Sequence, residues 1–384
     1  MHVLLITNIS YPHGMADTRR VRSLIQGFDA NKISVDLIVS VVNSEINSDN
    51  FNCKIECAST ISKSDFKKKS LLGLVQNRFK WFKNCIKTLT QNKYDLIYFY
   101  QPNIDNFLVA IIVKLFYHRK TCVEYCDIVT KDNNNNNSIY ILQKIAWRYF
   151  PLFVDNIIVI STRLKRYFNI YHSTLNVILM PAFYTRKNDN LLTTKNYESS
   201  FINIIFTGSF IKSEGLDMLF RVFSQIILSH DNVLLHIAGY SLLSTKDDPF
   251  LLSKKYNVEK YVRLHGYLDS DKVFELQDMG HILVLTKLNT KVNRFGFSTK
   301  LLDYLSSNKI VVCSDISDFK LYLEDKHHLF YFNSDNDKSL HETLVYCIEN
   351  FKNLSMVSSR GFQRASEIFD PAIYIKKLKE ILEK

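Results

Sequence analysis

The sequence predicts an α/β protein with two doubly wound parallel-sheet domains, and three observations support this fold class. The chain has 384 residues, whereas an ordinary domain holds about 100–200, so two cores are expected. Short, continuously apolar segments alternate with amphipathic segments, as in buried parallel strands joined by crossover helices. The alternation begins near Val3 and begins again at Phe201.

The positive charge of the chain lies almost entirely in its first half. Residues 1–185 contain 23 Lys and Arg against 13 Asp and Glu, whereas residues 186–384 contain 26 against 25. A field of one sign concentrates partners of the opposite sign, which predicts an anionic membrane surface or a phosphorylated acceptor for the first half. No nucleic-acid-binding motif accompanies the charge, so nucleic acid is not an expected partner. Solubility alone is the alternative explanation.

The sequence pattern does not predict secretion or a membrane span. The first strand begins at His2 without a signal-peptide pattern, and the longest apolar run, residues 108–116, is interrupted by Lys114. We therefore expect a cytoplasmic protein that can bind peripherally to the inner face of the cell membrane. The seven cysteines include no Cys-x-x-Cys pair, so no zinc site is expected.

The first half opens as a strand, a loop, a helix and a second strand. Residues 3–7 form the first strand, and a helix with an apolar face follows from about Thr18. Doubly wound sheets bind ligands beyond the carboxyl ends of their strands, so the loop holding Gly14, Met15 and Ala16 is predicted to lie at the mouth of a site. A plain turn is the alternative. Later strands are predicted at residues 33–40, 95–100, 121–125, 157–160 and 177–180, and helices at 108–116 and 139–150.

Residues 63–89 are predicted to form a basic, aromatic helix. Its apolar positions, including Phe79, Trp81 and Phe82, are interleaved with lysines and arginines. Such a helix can lie on an anionic bilayer. The alternative is that its apolar face packs on the sheet while its lysines are solvated. The basic character of the first half favours membrane contact.

One carboxylate follows the strand predicted at residues 121–125. Asp127 would face the crevice, where it, or less readily Glu124, could act as an acid/base or hold a sugar hydroxyl. The alternative for Asp127 is that it caps the next turn of the chain.

The second half repeats the alternation after a polar linker at residues 181–198. The first strand, residues 201–206, runs into a loop at residues 207–215 that contains Gly208, Lys212 and Gly215 and precedes a helix. A lysine between two glycines before a helix predicts a turn that faces phosphate. Further strands are predicted at residues 233–238, 261–265, 281–285, 310–313 and 329–332, and the chain ends in a basic helix from residue 370.

Residues 294–315 predict a site for a phosphate and a ribose. Gly296 is predicted to adopt a backbone conformation that a β-carbon would forbid, and Ser298 and Thr299 are natural N-caps of the following helix. The start of that helix would bind an anion. Asp303 lies one turn further, where its carboxylate could accept hydrogen bonds from a vicinal diol.

These motifs, in this order, resemble those of the family 4 (group 1) glycosyltransferases. The matching residues are Thr207, Gly208 and Ser209, Lys212 to Gly215, His236 to Gly239, Gly296 to Asp303, and Ile310 to Val312. The resemblance implies the GT-B fold, in which two Rossmann-like domains face each other across a cleft. It also implies metal-independent sugar transfer from a nucleotide-sugar donor with retention of the anomeric configuration.

The resemblance implies roles for single residues. The donor diphosphate would be bound by Gly208, Ser209, Lys212, Arg294, Gly296, Ser298, Thr299 and Lys300, and the ribose by Asp303. Lys212 and Lys300 would also stabilise the leaving group, and Asp127 is the candidate acid/base. Gly14, Met15 and Ala16 would lie on the acceptor side.

The sequence departs from the family pattern at two positions. Phe295 stands where the family has the first of two acidic residues, so another group would have to hold the donor sugar. Ser209 stands where the family often has an arginine. Lys212, Arg294 and Lys300 remain to neutralise the departing diphosphate.

The favoured hypothesis is a transferase that moves a sugar onto a glycan or lipid-linked acceptor in bacterial surface polysaccharide biosynthesis. It assigns residues 1–185 to the acceptor, residues 186–369 to the donor, and residues 370–384 to a helix packing across the cleft. A GT-B sugar-nucleotide epimerase and a non-catalytic binding or scaffold protein with the same fold are the alternatives.

Overall fold

The structure, a computed structural model, divides into two compact units. The first comprises Met1–Phe183 with Asp370–Lys384, and the second comprises Tyr184–Phe369. The last helix, expected to pack across a cleft, therefore belongs to the first unit, while the functional roles assigned to the two halves remain predictions. The described residues are 1–12, 14, 16–42, 53–60, 71–130, 137–184, 201–240 and 247–383.

The regular elements follow the predicted alternation. The strands are β1 His2–Ile6, β2 Ser10–Tyr11, β3 Ser34–Val42, β4 Cys53–Thr60, β5 Leu96–Tyr100, β6 Thr121–Tyr125, β7 Asn156–Val159, β8 Asn176–Leu179, β9 Ile202–Ser209, β10 Val233–Tyr240, β11 Val262–Gly266, β12 Ile282–Leu285, β13 Ile310–Ser314 and β14 Phe330–Phe332. The helices are α1 Ala16–Ala30, α2 Leu71–Gln91, α3 Ile104–Ile112, α4 Asn137–Tyr149, α5 Thr162–Tyr171, α6 Leu216–Ile226, α7 Pro249–Lys255, α8 Ser270–Met279, α9 Lys291–Phe295, α10 Thr299–Ser306, α11 Phe319–Tyr322, α12 Asp337–Asn350, α13 Ser355–Ile368 and α14 Pro371–Leu382. Short helical turns include a π-helical turn at Val113–Tyr117 and 3₁₀ turns at Phe150–Phe153 and Lys212–Glu214.

The first unit is built on a parallel sheet in which β1 is an interior strand. Its strands follow the order β2-β3-β1-β5-β6-β7-β8, and β4 pairs with β3. The residues of β1 from Val3 to Ile6 are fully buried, which explains why that strand is continuously apolar.

The terminal helix α14 packs on α1 within the first unit, and a glycine permits the close approach. A β-carbon on Gly27 would lie 2.9 Å from the carbonyl oxygen of Pro371. Asn31 then joins the helices, because its side-chain amide donates to the carbonyls of Gly27 and Ala372 at 2.8 and 2.9 Å.

The second unit contains a six-stranded parallel sheet in the order β11-β10-β9-β12-β13-β14. Its largest buried side chains include Phe206 from β9 and Phe220 and Phe223 from α6. With two doubly wound parallel sheets in the described chain, the predicted fold class is confirmed.

Each sheet grows in both directions from its first strand. In the first unit, β1 lies between β3 and β5, and in the second, β9 lies between β10 and β12. The crossovers on the two sides of such a strand diverge, which leaves a crevice at the carboxyl ends where ligands of doubly wound sheets bind. These two switch points locate the candidate sites.

Among the residues that the structure describes, no helix combines the length and the apolar character needed to span a bilayer.

Candidate active site

Glu214 binds two lysines at the switch point of the second unit. Its Oε1 lies 2.7 Å from Nζ of Lys287, which follows β12, and its Oε2 lies 2.5 Å from Nζ of Lys300, in the first turn of α10. The Glu214 side chain is 6% exposed, and the lysine side chains are 13% and 17% exposed. We call Glu214, Lys287 and Lys300 the charge cluster, which has one more positive than negative charge.

The two lysines keep Glu214 ionised. Burial by itself would raise the pKa of this carboxyl, but the charges of Lys300 and Lys287 and their hydrogen bonds lower the pKa to about 2. The carboxylate therefore remains charged at neutral pH and holds both ammonium groups in fixed positions.

The backbone around Glu214 is held by contacts that only a glycine allows. Gly215 has a left-handed φ of 72°, and a β-carbon there would lie 2.0 Å from the carbonyl oxygen of Thr286. Thr286 in turn donates from its hydroxyl to the carbonyl of Glu214 at 2.9 Å. The Asn293 amide, from α9, donates to the carbonyl of Ser213 at 2.8 Å. The turn is thus tied to the segments after β12.

Gly208 lets Lys300 reach the end of β9. Its φ is 153°, and a β-carbon there would lie 2.2 Å from Nζ of Lys300. The same ammonium lies 5.5 Å from the centre of the Phe206 ring. The structure therefore brings together Gly208 and Lys300, two predicted donor-binding residues that are far apart in sequence.

Helix α10 is anchored to β9 by a buried hydroxyl. The Tyr304 hydroxyl accepts from the backbone N–H of Thr207 at 2.9 Å and also lies 3.2 Å from the Thr207 hydroxyl. Tyr304 is completely buried, and this burial raises its pKa. The contact sets the position of α10, and with it that of Lys300.

The predicted reason for Gly296 is wrong. Gly296 has φ −83° and ψ 179°, an extended conformation open to any residue, because it ends the short helix α9 rather than forming a left-handed turn. Ser298 does occupy the N-cap of α10, but its side chain makes no capping hydrogen bond. Thr299 is the first helical residue. The first turn of α10 thus lacks the cap that would compete with an external anion.

The other predicted donor residues differ in exposure. Ser209, Phe295 and Asp303 are half-buried, whereas Lys212 and Arg294 are exposed. Lys212 begins the 3₁₀ turn that ends in Glu214, and Arg294 follows Asn293. Their roles in binding a donor stay predictions.

Glu124 does not serve as the alternative acid/base in the first unit. It is completely buried, accepts from Nε of Arg20 at 2.8 Å and accepts from the Tyr98 hydroxyl at 2.6 Å. It forms an internal ion pair with Arg20, and a substrate cannot reach it. Asp127 is exposed beyond β6, and its carbonyl accepts from the indole of Trp147 at 3.0 Å. Its catalytic role stays a prediction.

The predicted acceptor-side loop is only partly described. Gly14 and Ala16 are exposed, and Met15 lies outside the described residues. A β-carbon on Gly14 would lie 2.0 Å from the hydroxyl oxygen of Thr18. The glycine thus permits the loop to fold back onto the start of α1.

A polar group at the first switch point was not predicted. One carboxylate oxygen of Asp17 accepts from the Tyr100 hydroxyl at 3.0 Å and from the Gln101 amide at 2.8 Å. Gln101 has a left-handed φ of 65°, and the buried amide of Asn106 holds that turn by donating to the carbonyls of Tyr100 and Gln101, both at 2.8 Å. These side chains lie beside the carboxyl end of β5.

Sequence reasoning also missed Glu214 and Lys287. Glu214 lies inside the loop that had been identified as phosphate-facing, and Lys287 follows a predicted strand end. The position of each residue in a loop at a strand end was therefore a usable signal for a site. The ion pair between them could not be predicted, because 73 residues separate them in the sequence.

Within the described ranges, no group of three or more His, Cys, Asp or Glu side chains is arranged to hold a metal ion. His327 and His328 have protein partners, since one ring nitrogen of His327 lies 2.8 Å from Arg360, and His328 accepts from the backbone N–H of Glu324 at 2.9 Å.

Comparison with known protein families gives a match within the second unit. Residues 202–350 match the family model for Glycosyl transferases group 1, while no curated protein sequence matches the chain. The chain is similar to the solved structure of sucrose-phosphate synthase from Thermosynechococcus elongatus, with 13% identity, a TM-score of 0.73 and coverage of 99% of this chain and 98% of that chain.

Two further solved structures are similar over their whole length. HepE from Anabaena, in complex with UDP-glucose, has 15% identity and a TM-score of 0.69, with 100% of this chain and 99% of that chain covered. A TarM mutant from S. aureus, in complex with Fondaparinux, alpha-GlcNAc-glycerol and UDP, has 11% identity and a TM-score of 0.71, with full coverage of both chains. At such identities the similarity establishes the fold. The resemblance predicted from the motifs is confirmed: residues 202–350 match the group 1 glycosyltransferase family model, and the chain shares the GT-B fold of these solved structures.

Proposed function

We propose that this protein is a retaining, metal-independent transferase that moves a sugar from a UDP-sugar onto a glycan or lipid-linked acceptor in bacterial surface polysaccharide biosynthesis. In this proposal the cytoplasmic enzyme binds the donor through its second unit and the acceptor through its first. The charge cluster is the single observation that carries the proposal.

The charge cluster has the properties that departure of a nucleoside diphosphate requires. Negative charge accumulates on the diphosphate as its bond to the sugar breaks, and fixed positive groups lower that barrier most when they need not reorganise. Glu214 fixes Lys287 and Lys300 before a donor arrives, and the uncapped start of α10 adds backbone donors on the same side. Lys212 and Arg294, which are exposed, would add to this fixed set.

The choice of UDP is supported by the solved structures that share the fold. HepE was solved with UDP-glucose and the TarM mutant with UDP. In our proposal Asp303, half-buried on α10, accepts hydrogen bonds from the ribose hydroxyls. Phe295 contributes no acceptor for the sugar, so polar groups elsewhere in the site would have to orient it.

The acceptor side is assigned to the first switch point. Asp17, already bonded to Tyr100 and Gln101, has further acceptor capacity, since a carboxylate offers about four lone-pair sites. A carboxylate beside an amide is suited to binding a sugar hydroxyl. Asp127 is exposed at the end of the neighbouring strand β6 and is the second candidate there.

The reaction is tested by incubating the purified protein with radiolabelled UDP-sugars and a membrane lipid extract or oligosaccharide acceptors. Release of UDP with label in the acceptor, and an α-linked product from an α-linked donor by NMR, would support the proposal. Conversion of the donor to its epimer would favour the epimerase instead. Binding without turnover across a donor and acceptor panel would favour a non-catalytic role.

The role of the charge cluster is tested by Lys300→Met against Lys338→Met. Lys338 is 85% exposed and lies 3.8 Å from Glu342, so its loss controls for the removal of one positive charge. We expect Lys300→Met to weaken UDP binding at least tenfold by calorimetry, since a charge-assisted contact contributes about 1.5–3 kcal/mol, and Lys338→Met to bind as the wild type does. Equal binding by both variants would contradict the assignment.

A further inference from the structure

Large apolar side chains are exposed together on one part of the first unit. Phe116 is 73% exposed, Leu152 61%, Leu115 59% and Ile141 55%. We define the α3–α4 face by the exposed apolar residues of α3, the π-helical turn, α4 and the 3₁₀ turn that follows, namely Leu108, Leu115, Phe116, Ile139, Ile141, Leu142, Ile145, Tyr149 and Leu152.

The segments that carry this face are packed on one another. α3 contacts α4 and the 3₁₀ turn Phe150–Phe153, and the ring of Phe107 on α3 lies 5.7 Å from that of Phe150 and 5.5 Å from that of Phe153. Isolated exposed apolar residues are ordinary on a protein surface, but a group of them on contacting segments indicates an interaction site.

Little of helix α4 is buried against the rest of the first unit, so most of its side chains are exposed. Ala146 is the only buried residue of α4. The helix is fixed beside this residue, since the Tyr125 hydroxyl donates to the Trp147 carbonyl at 2.9 Å and the Trp147 indole donates to Asp127. The apolar residues Leu142, Ile145 and Tyr149, spaced three and four apart, therefore form a stripe directed away from the core.

The charge of the α3–α4 face is positive. Helix α4 contains Lys144 and Arg148 and no acidic residue, and exposed Arg119 follows the π-helical turn, whereas Lys120 donates to the carbonyl of Leu382 in α14. Lys114 is already paired with Asp155 at 3.0 Å. Apolar side chains flanked by basic ones, with aromatic rings among them, are the chemistry that suits the headgroup region of an anionic bilayer.

The same charges disfavour a second copy of this chain as the occupant. A two-fold interface places one patch against itself, so Lys144 and Arg148 of one copy would approach those of the other without an acidic partner on α4. An anionic lipid surface neutralises these charges, while the acyl region accepts the apolar residues.

The membrane contact expected at residues 63–89 stays a prediction, because α2 has apolar side chains on both its exposed and its buried sides, and Phe79 is 71% exposed. Within the described part, Trp81, Cys85 and Leu89 of α2 are buried, and the Trp81 indole donates to the carbonyl of Thr7 at 3.0 Å. That side of α2 therefore packs on the sheet. Residues 61–70 lie outside the described residues.

We propose that the α3–α4 face docks the first unit onto an anionic phospholipid surface, with the apolar side chains in the interface and Lys144 and Arg148 at the headgroups. The α3–α4 face belongs to the first unit and the charge cluster to the second, so docking and donor binding can be tested by separate substitutions.

The experiment is co-flotation of the full-length protein with vesicles at 0.15 M salt. We compare phosphatidylcholine vesicles with vesicles containing one third phosphatidylglycerol. The first variant combines Leu142→Ser, Ile145→Ser and Leu152→Ser, and the second combines Lys144→Glu and Arg148→Glu. The matched control is Leu228→Ser, because Leu228 is 85% exposed in the second unit.

We expect the wild type and Leu228→Ser to float with the anionic vesicles and each multiple variant to bind at least tenfold less. An unchanged UDP affinity and thermal transition would show that the variants are folded. The proposal is overturned if the folded serine variant floats as the wild type does, or if wild-type binding does not depend on anionic lipid. It is also overturned if the wild type is a dimer that both multiple variants convert to a monomer without vesicles, because that result assigns the face to a second copy.

Discussion

Replacing Glu214 by glutamine tests the central interaction of the charge cluster. The substitution conserves shape and removes the one negative charge between Lys287 and Lys300, both of which are mostly buried. Two ammonium groups would then face each other without compensation. Breaking a buried pair in this way costs more than deleting it altogether, since the remaining charge stays desolvated.

The size of the effect follows from the pKa of Glu214. Its ordinary value is 4.5 and its value in the folded protein is about 2, a difference that corresponds to roughly 3 kcal/mol at about 1.4 kcal/mol per unit. Because the pKa is lowered by folding, this stabilisation is fully present above pH 4.5 and is lost as the pH falls toward 2. At pH 7 we therefore expect Glu214→Gln to lower the free energy of unfolding of the second unit by roughly 3 kcal/mol.

The two tryptophans provide an internal reference for this measurement. Trp81 and Trp147 both lie in the first unit, so their fluorescence follows that unit while far-ultraviolet circular dichroism follows both. Glu342→Gln is the matched control, because Glu342 is 64% exposed and 3.8 Å from Lys338. Such surface pairs contribute about 0–1 kcal/mol.

Urea unfolding should show an earlier circular dichroism transition for Glu214→Gln and little change for Glu342→Gln. The difference between wild type and Glu214→Gln should shrink to roughly half near pH 3. If Glu214→Gln unfolds as the wild type does at pH 7, the reasoning is wrong. A difference that persists undiminished at pH 3 would assign the effect to packing rather than to charge.

Three further substitutions test the neighbouring contacts. Gly208→Ala should weaken UDP binding at least tenfold in calorimetry, because the added β-carbon would displace the ammonium of Lys300. Gly266→Ala is the control and should not weaken binding, since Gly266 also has a left-handed φ, of 66°, but has open space around it. Equal losses of affinity in the two variants would contradict a role for the contact with Lys300. Tyr304→Phe should lower stability by about 1–3 kcal/mol in urea unfolding, because the buried N–H of Thr207 loses its acceptor, and a loss below about 0.5 kcal/mol would refute this. Asp303→Ala should weaken UDP binding about tenfold or more but leave binding of a 2′,3′-dideoxy analogue unchanged; equal UDP affinity for variant and wild type would rule out a ribose contact.

Local patterns were sufficient to predict most elements of the fold. The strand at residues 3–7 was recognisable because a parallel strand covered on both faces must be apolar throughout, and β1 is buried in that way. Ser161 is a typical N-cap residue just before α5, and its hydroxyl accepts from the N–H of Leu164 at 3.3 Å. Such features depend on residues within one turn or strand.

Predictions failed where a neighbouring element changed the local conformation. Gly296 was expected to need a left-handed backbone, but α9 ends there in an extended residue. The strand that was predicted to end at Phe206 continues to Ser209, because β10 pairs with it as far as Tyr240. Neither α9 nor the length of that pairing is encoded in the few residues around the glycine or the strand end.

The sequence alone determined the fold class and the family resemblance, and it singled out Gly208 and Lys300 as candidate site residues. Only the tertiary structure showed that the ammonium of Lys300 lies against Gly208 and that Glu214 joins it to Lys287, across 86 and 73 residues of chain. The physical reason is that hydrophobic periodicity is read within a single element, whereas an ion pair depends on which strand ends become neighbours. Here β9 and β12 become neighbours at the switch point, and their adjacency is what assembles the site.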